Sequence, residues 1–191
     1  MEGSKVLGLA WCRNDCGRLL EKHGYLVLFD STHSTNCRNW KLSTICFRDA
    51  TGIWLPGAHI IMAKETADII RDGLKLFRRM LPRWEPRYFV VDDSATECQG
   101  IEAAFSDRGA QRLDISLCIW HLQKNLNSRV SIVPVRRKLY DAMYAKTKTR
   151  CDILIQEAQM LCIGPYGEVQ RKYIDKKWSV SNSHLWSFWK G

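Results

Sequence analysis

Two short apolar runs in this chain each end on an aspartate: Tyr25-Leu-Val-Leu-Phe-Asp30 and Tyr88-Phe-Val-Val-Asp92. Short apolar runs bounded by polar sequence read as buried strands. A buried strand that stops on a carboxylate puts a charge at the mouth of a sheet, where ligands bind. Two such strands side by side would bring two carboxylates close enough to share a divalent metal. A third apolar stretch ends in Cys118-Ile-Trp-His121. The order strand-Asp, strand-Asp, strand-Cys-x-x-His constrains fold and chemistry more than composition does.

The rest of the pattern fixes how those strands connect. Residues 1–23 read as an irregular or helical lead-in, with Gly24 as the C-terminal cap of a short helix over Arg18–His23. Leu42 to Phe47 and Ile53 to Met62 read as strands joined by the hairpin turn Arg48-Asp-Ala-Thr-Gly52. Pro56-Gly57 marks an edge or a bulge in the later strand. The first three strands then form an antiparallel meander. Glu65 to Leu81 carries an apolar stripe at helical spacing and stops at Pro82. That helix lets the strand ending at Asp92 lie parallel to and beside the first strand by a right-handed crossover. Ser94 is placed to cap a following helix through Glu97, Ile101 and Phe105. Leu113 to Ile119 is a fifth strand. Helices follow from His121, over Val135–Lys146 and Asp152–Leu161, until Gly164-Pro-Tyr-Gly167 breaks the run. This is the order of an RNase H-like fold. The sequence predicts an α/β domain with a mixed five-stranded sheet flanked by helices. A lead-in occupies 1–24, the core 25–128, and a basic helical extension 129–191.

Charge is distributed unevenly. The chain carries a formal +9, of which +8 lies from His121 to Gly191, where 13 Lys and Arg face 5 Asp and Glu. A local positive field suits a polyanion such as nucleic acid, although a lysine-rich solvated surface gives the same count. No apolar run approaches the ~18 residues of a membrane helix, and the N-terminus lacks the form of a signal peptide. The chain is therefore expected inside the cell, with its 8 cysteines reduced. Cys12 and Cys16 have no matching second pair and so give only weak evidence for a zinc site.

The candidate chemistry rests on Asp30 and Asp92. Paired carboxylates repel, and a divalent cation relieves that repulsion while activating water or a hydroxyl at a phosphodiester. Asp93 is a rival to Asp92, but strand alternation turns the two to opposite faces. His121 could contact phosphate or hold its loop, and Cys118 reads as a core residue within its strand. Trp178, Trp186 and Trp189, set among lysines, read either as base-stacking groups or as tryptophans that a truncated core leaves exposed.

These residues resemble the catalytic domain of MULE (Mutator-like element) transposases over residues 19–126. The resemblance runs through Leu20 to Asn36 with Asp30 after its strand, the Asp49–Gly52 turn and the helix near Glu65. It continues through Val91-Asp92-Asp-Ser-Ala-Thr-Glu97 and ends in Cys118-Ile-Trp-His121 with Asn125. It implies an RNase H-like fold and a DDE/D active site using two Mg²⁺ or Mn²⁺ ions. It implies cleavage at transposon ends, strand transfer into target DNA, a homo-oligomeric active complex and a nuclear location, with no membrane role. Asp30 and Asp92 match the first two catalytic acids and metal ligands. Cys118 and His121 match the family signature near DNA. The family's third acid is a Glu on a later helix after an Asn-rich segment. No such segment is found, Glu157, Glu168 and Asp175 lack that context, and the third acid is unassigned. The extension is accordingly expected to be truncated. The alternatives are a non-catalytic DNA-binding protein derived from a transposase and an RNase H-like nuclease acting on RNA–DNA hybrids.

Overall fold

The computed structural model describes residues 6–32, 34, 36–108 and 113–178. Trp186 and Trp189 lie outside the described residues. The chain forms two compact units, Met1–Ile115 and Ser116–Gly191.

In the first unit the elements are β1 (Gly8–Trp11), α1 (Asn14–His23), β2 (Leu26–Thr32), β3 (Lys41–Arg48), β4 (Trp54–Met62), α2 (Ala67–Met80), β5 (Tyr88–Val91) and α3 (Ala95–Ala104). A last strand, β6 (Asp114–Leu117), begins there and runs into the second unit. The sheet order is β1-β4-β3-β2-β5-β6. The meander β2-β3-β4 is antiparallel and β5 lies parallel to β2. The fold is α/β and RNase H-like in strand order, with six strands where the pattern predicts five. The added strand is β1, inside the segment read as a lead-in. It pairs antiparallel with β4 at the sheet edge, where Leu9 and Trp11 stay exposed. An edge strand of four residues leaves little burial pattern to read.

Alternation sorts the sheet residues onto two faces. Val27, Phe29, Ile45, Phe47, Ile60 and Met62 are buried. The helix α2 lays Ile70, Leu74 and Phe77 into that core. It is capped by Thr66, whose hydroxyl accepts from the Ile69 amide at 3.4 Å, and its last turn carries Arg78 and Arg79 against the dipole. Between Ile45 and Cys46 the β3–β4 register shifts, so that Gly57 is the extra residue of a bulge and Pro56 lies beyond the last residue paired with β1. Gly24 does follow α1, but at φ −80° it needs no left-handed conformation. Its side chain is excluded by crowding: a Cβ there would stand 2.7 Å from both Leu20 Cδ1 and Trp84 Nε1. The Trp84 indole donates to the Gly24 carbonyl at 3.1 Å.

In the second unit, α4 (Ile119–Arg129), α5 (Val133–Met143), α6 (Lys148–Met160) and α7 (Gly164–Lys177) enclose a core of Leu126, Leu139, Met143, Leu154, Ile155 and Ile174. The predicted fifth strand is shorter than its pattern, because Ile119 already opens α4. Cys118 is therefore not a strand residue but the N-cap of that helix. The Gly164-Pro-Tyr-Gly167 break separates two helices and also starts the second, with Pro165 in its first turn, where the missing amide costs nothing. Trp178 is 1% exposed and belongs to this core.

Candidate active site

The parallel register of β2 and β5 sets the site. Phe29 pairs with Val91, and each buried partner is followed by an aspartate: Asp30 and Asp92. The two aspartates thus sit level on neighbouring strands near the middle of the sheet: Asp92 directly follows β5, whereas β2 does not stop on Asp30 but continues through Ser31 and Thr32, which pair with Ser43 and Leu42 of β3. Asp30 is exposed and Asp92 half-buried. The Asp93 amide donates to Asp92 Oδ1 at 2.6 Å, fixing the chain as it turns out of the strand.

A polar row extends from Asp30 across three more strands. Asp30 pairs with Thr44, Thr44 with His59, and His59 with Trp11. Directly paired residues share a face. Thr44 Oγ1 and His59 Nδ1 are 3.1 Å apart, and the Trp11 and His59 rings stack at 5.0 Å. Burial lowers the His59 pKa, which favours the neutral ring. Cys46, on the same face, has its thiol pushed up by burial and then by the Asp30 charge.

A third acid stands beside the pair. Glu97 sits in the first turn of α3, after the Ser94 cap, and is 1% exposed. Its carboxyl is hydrogen-bonded to the Ser31 hydroxyl, which in turn lies 2.7 Å from Ser43 Oγ. Its Oε2 is buried without a hydrogen-bond partner among the described residues. Burial pushes its pKa up to about 7, with the charges of Glu65, Asp92 and Asp30 adding to the rise against the Ser31 bond. In the sequence Glu97 reads as an ordinary helix residue. Ser94-x-x-Glu97 has the form of a capping box, whose glutamate normally sits at the surface.

The donors suit a hard cation: carboxylate oxygens, one of them orphaned. Among the described residues no three His, Cys, Asp or Glu side chains converge to hold an ion by themselves. Mg²⁺ commonly takes one or two carboxylates and fills its sphere with water. The aspartate pair with water therefore fits such an ion, whereas the described residues form no closed protein cage.

Cys118 and His121 belong to the second unit and start α4. Next to them Trp120 is 61% exposed, with its ring 4.8 Å from that of His121 and 5.1 Å from Lys124 Nζ. Residues 116–178 hold 12 Lys and Arg against 5 Asp and Glu.

Strand order and the paired acidic strand ends define the class: this is an RNase H-like domain. The family model for the RNaseH-like domain of zinc finger SWIM domain-containing protein 1/3 matches residues 5–109. That span is more than half of the chain, and the chain belongs to this family. It takes in Asp30, Asp92 and Glu97 and ends before Cys118. No curated protein matches the chain. No helix among the described residues is long and apolar enough to cross a membrane.

Proposed function

We propose that this chain is part of the catalytic core of a Mutator-like DNA transposase, acting on DNA phosphodiesters in the nucleus. The observation that carries the reading is the register Phe29 to Val91, which sets Asp30 and Asp92 level on adjacent parallel strands. In this reading the two aspartates hold Mg²⁺ or Mn²⁺, one ion or the two that such sites use. The bound metal supplies an activated hydroxyl and charge stabilisation at the phosphodiester. The chain's own residues bind and orient. Thr44, His59 and Trp11 continue the face of Asp30 towards the β1 edge, offering hydrogen bonds and a stacking surface to a DNA strand. The basic second unit, with exposed Trp120 and Lys124, adds sequence-independent attraction for the backbone. An active complex is a homo-oligomer spanning transposon ends and target.

A second reading is favoured by one observation, the absence of three converging metal donors among the described residues. In it the domain binds DNA without cutting it. One experiment separates the two. The purified chain is incubated with supercoiled DNA and Mn²⁺, and nicking and binding are followed across salt. The transposase reading predicts nicking that disappears in Asp30→Asn and in Asp92→Asn while binding persists. Binding that falls steeply with salt, with no nicking in the wild type, supports the second reading and defeats the first.

A further inference from the structure

We propose that Glu97 is the third carboxylate of the acidic site, a positioning residue that holds a water of the cation carried by Asp30 and Asp92. The inference rests on the reading of those aspartates as metal ligands and adds an acid on α3, distinct from the family's third acid, which belongs on a later helix.

Geometry argues for this role. Glu97 is 1% exposed, and its Oε2 has no hydrogen-bond partner among the described residues. A carboxyl group buried with one oxygen unsatisfied costs stability, and helix α3 does not need it. The cap of α3 is made by Ser94, whose hydroxyl accepts from the Glu97 amide at 3.3 Å, a bond that uses only the Glu97 backbone. The side chain is spent instead on Ser31, the residue after Asp30, and through it on buried Ser43. The charges of Glu65, Asp92 and Asp30 all act on it. Three acids around one strand end repel, and a cation would relieve all of them.

Alternation also says how Glu97 can take part. Asp30 and Ser31 point to opposite faces of β2. Glu97, tied to Ser31, approaches the pair from behind the strand ends rather than standing level with the aspartates. That placement accounts for the lack of a three-donor cluster among the described residues. It suits contact with a metal-bound water, because Mg²⁺ sheds its waters reluctantly. Partners outside the direct ligands commonly change metal affinity about 10- to 100-fold.

The test is a Mn²⁺ titration of the full chain, with free ion read by electron paramagnetic resonance, alongside melting in EDTA. Glu97→Gln is expected to raise the Mn²⁺ Kd about 10-fold while melting in EDTA no lower than the wild type. A purely structural Glu97 would do the reverse, lowering the melting temperature in EDTA and leaving Kd unchanged, and either result overturns the proposal. Ser31→Ala, which keeps the carboxylate but removes its anchor, is expected to weaken Mn²⁺ severalfold. It carries the test if Glu97→Gln does not fold, and an unchanged Kd there also overturns the proposal. Wild type that binds no Mn²⁺, or binds it equally well as Asp30→Asn, removes the aspartate reading and this inference together. Binding that needs Asp30 but ignores Glu97 removes this inference alone.

Discussion

Ionising a carboxyl buried as deeply as that of Glu97 costs more in the fold than in the open chain, and the cost depends on pH. The folded value is about 7, against 4.5 for an unperturbed glutamate. Below pH 4.5 the group is protonated in both states and contributes nothing. Between the two values the unfolded chain ionises while the folded chain keeps its proton, so stability falls as pH rises. Above pH 7 both are ionised and the penalty levels off at about 3 kcal/mol. Urea unfolding in EDTA at pH 5 and pH 8 should show this fall in the wild type and lose it in Glu97→Gln. Equal pH dependence in the two proteins would contradict the assignment. The level placement of Asp30 and Asp92 is legible in the sequence because each follows a short buried apolar run. Glu97 is not, because Ser94-x-x-Glu97 describes a surface capping box equally well, and its burial depends on tertiary placement, with α3 packed on α2 and the carboxyl bonded to Ser31.

The helix that carries Glu97 is held by close approach to α2. A Cβ on Gly100 would stand 2.7 Å from Ile70 Cγ2 and 3.0 Å from the Ala67 carbonyl oxygen, which is backbone and cannot swing away. Gly100→Ala should therefore push α3 off α2 and cost about 1–3 kcal/mol, read as a lower urea midpoint. An unchanged midpoint would mean that the helices have room to spare. Elements with a strong internal pattern were read correctly from sequence: the meander, the stripe of α2 and the Ser94 cap. Those that depend on neighbours were not. The β1 strand is four residues long and half exposed, so only its pairing with β4 defines it. Cys118 follows an apolar stretch, and its position as a helix N-cap depends on where β6 ends. Trp178 reads from sequence as an exposed residue, and the packing of the helices of the second unit places it in the core instead.

At the scale of the whole molecule, sequence and structure divide the work in the same way. The first unit carries the acids and matches the RNase H-like family over residues 5–109. The second carries +8 of the formal net charge of +9 and an exposed tryptophan, Trp120. In the proposed function, the acidic site would take a cation and the basic unit a polyanion, the two halves of metal-dependent chemistry on DNA. The central claim is that Asp30 and Asp92 share a divalent cation. Crystals soaked in Mn²⁺ and measured for anomalous scattering test it most directly. The account predicts an anomalous peak at the carboxyl ends of β2 and β5, within ligand distance of both aspartates and absent in Asp30→Asn. A peak elsewhere, or none at millimolar Mn²⁺, would contradict it.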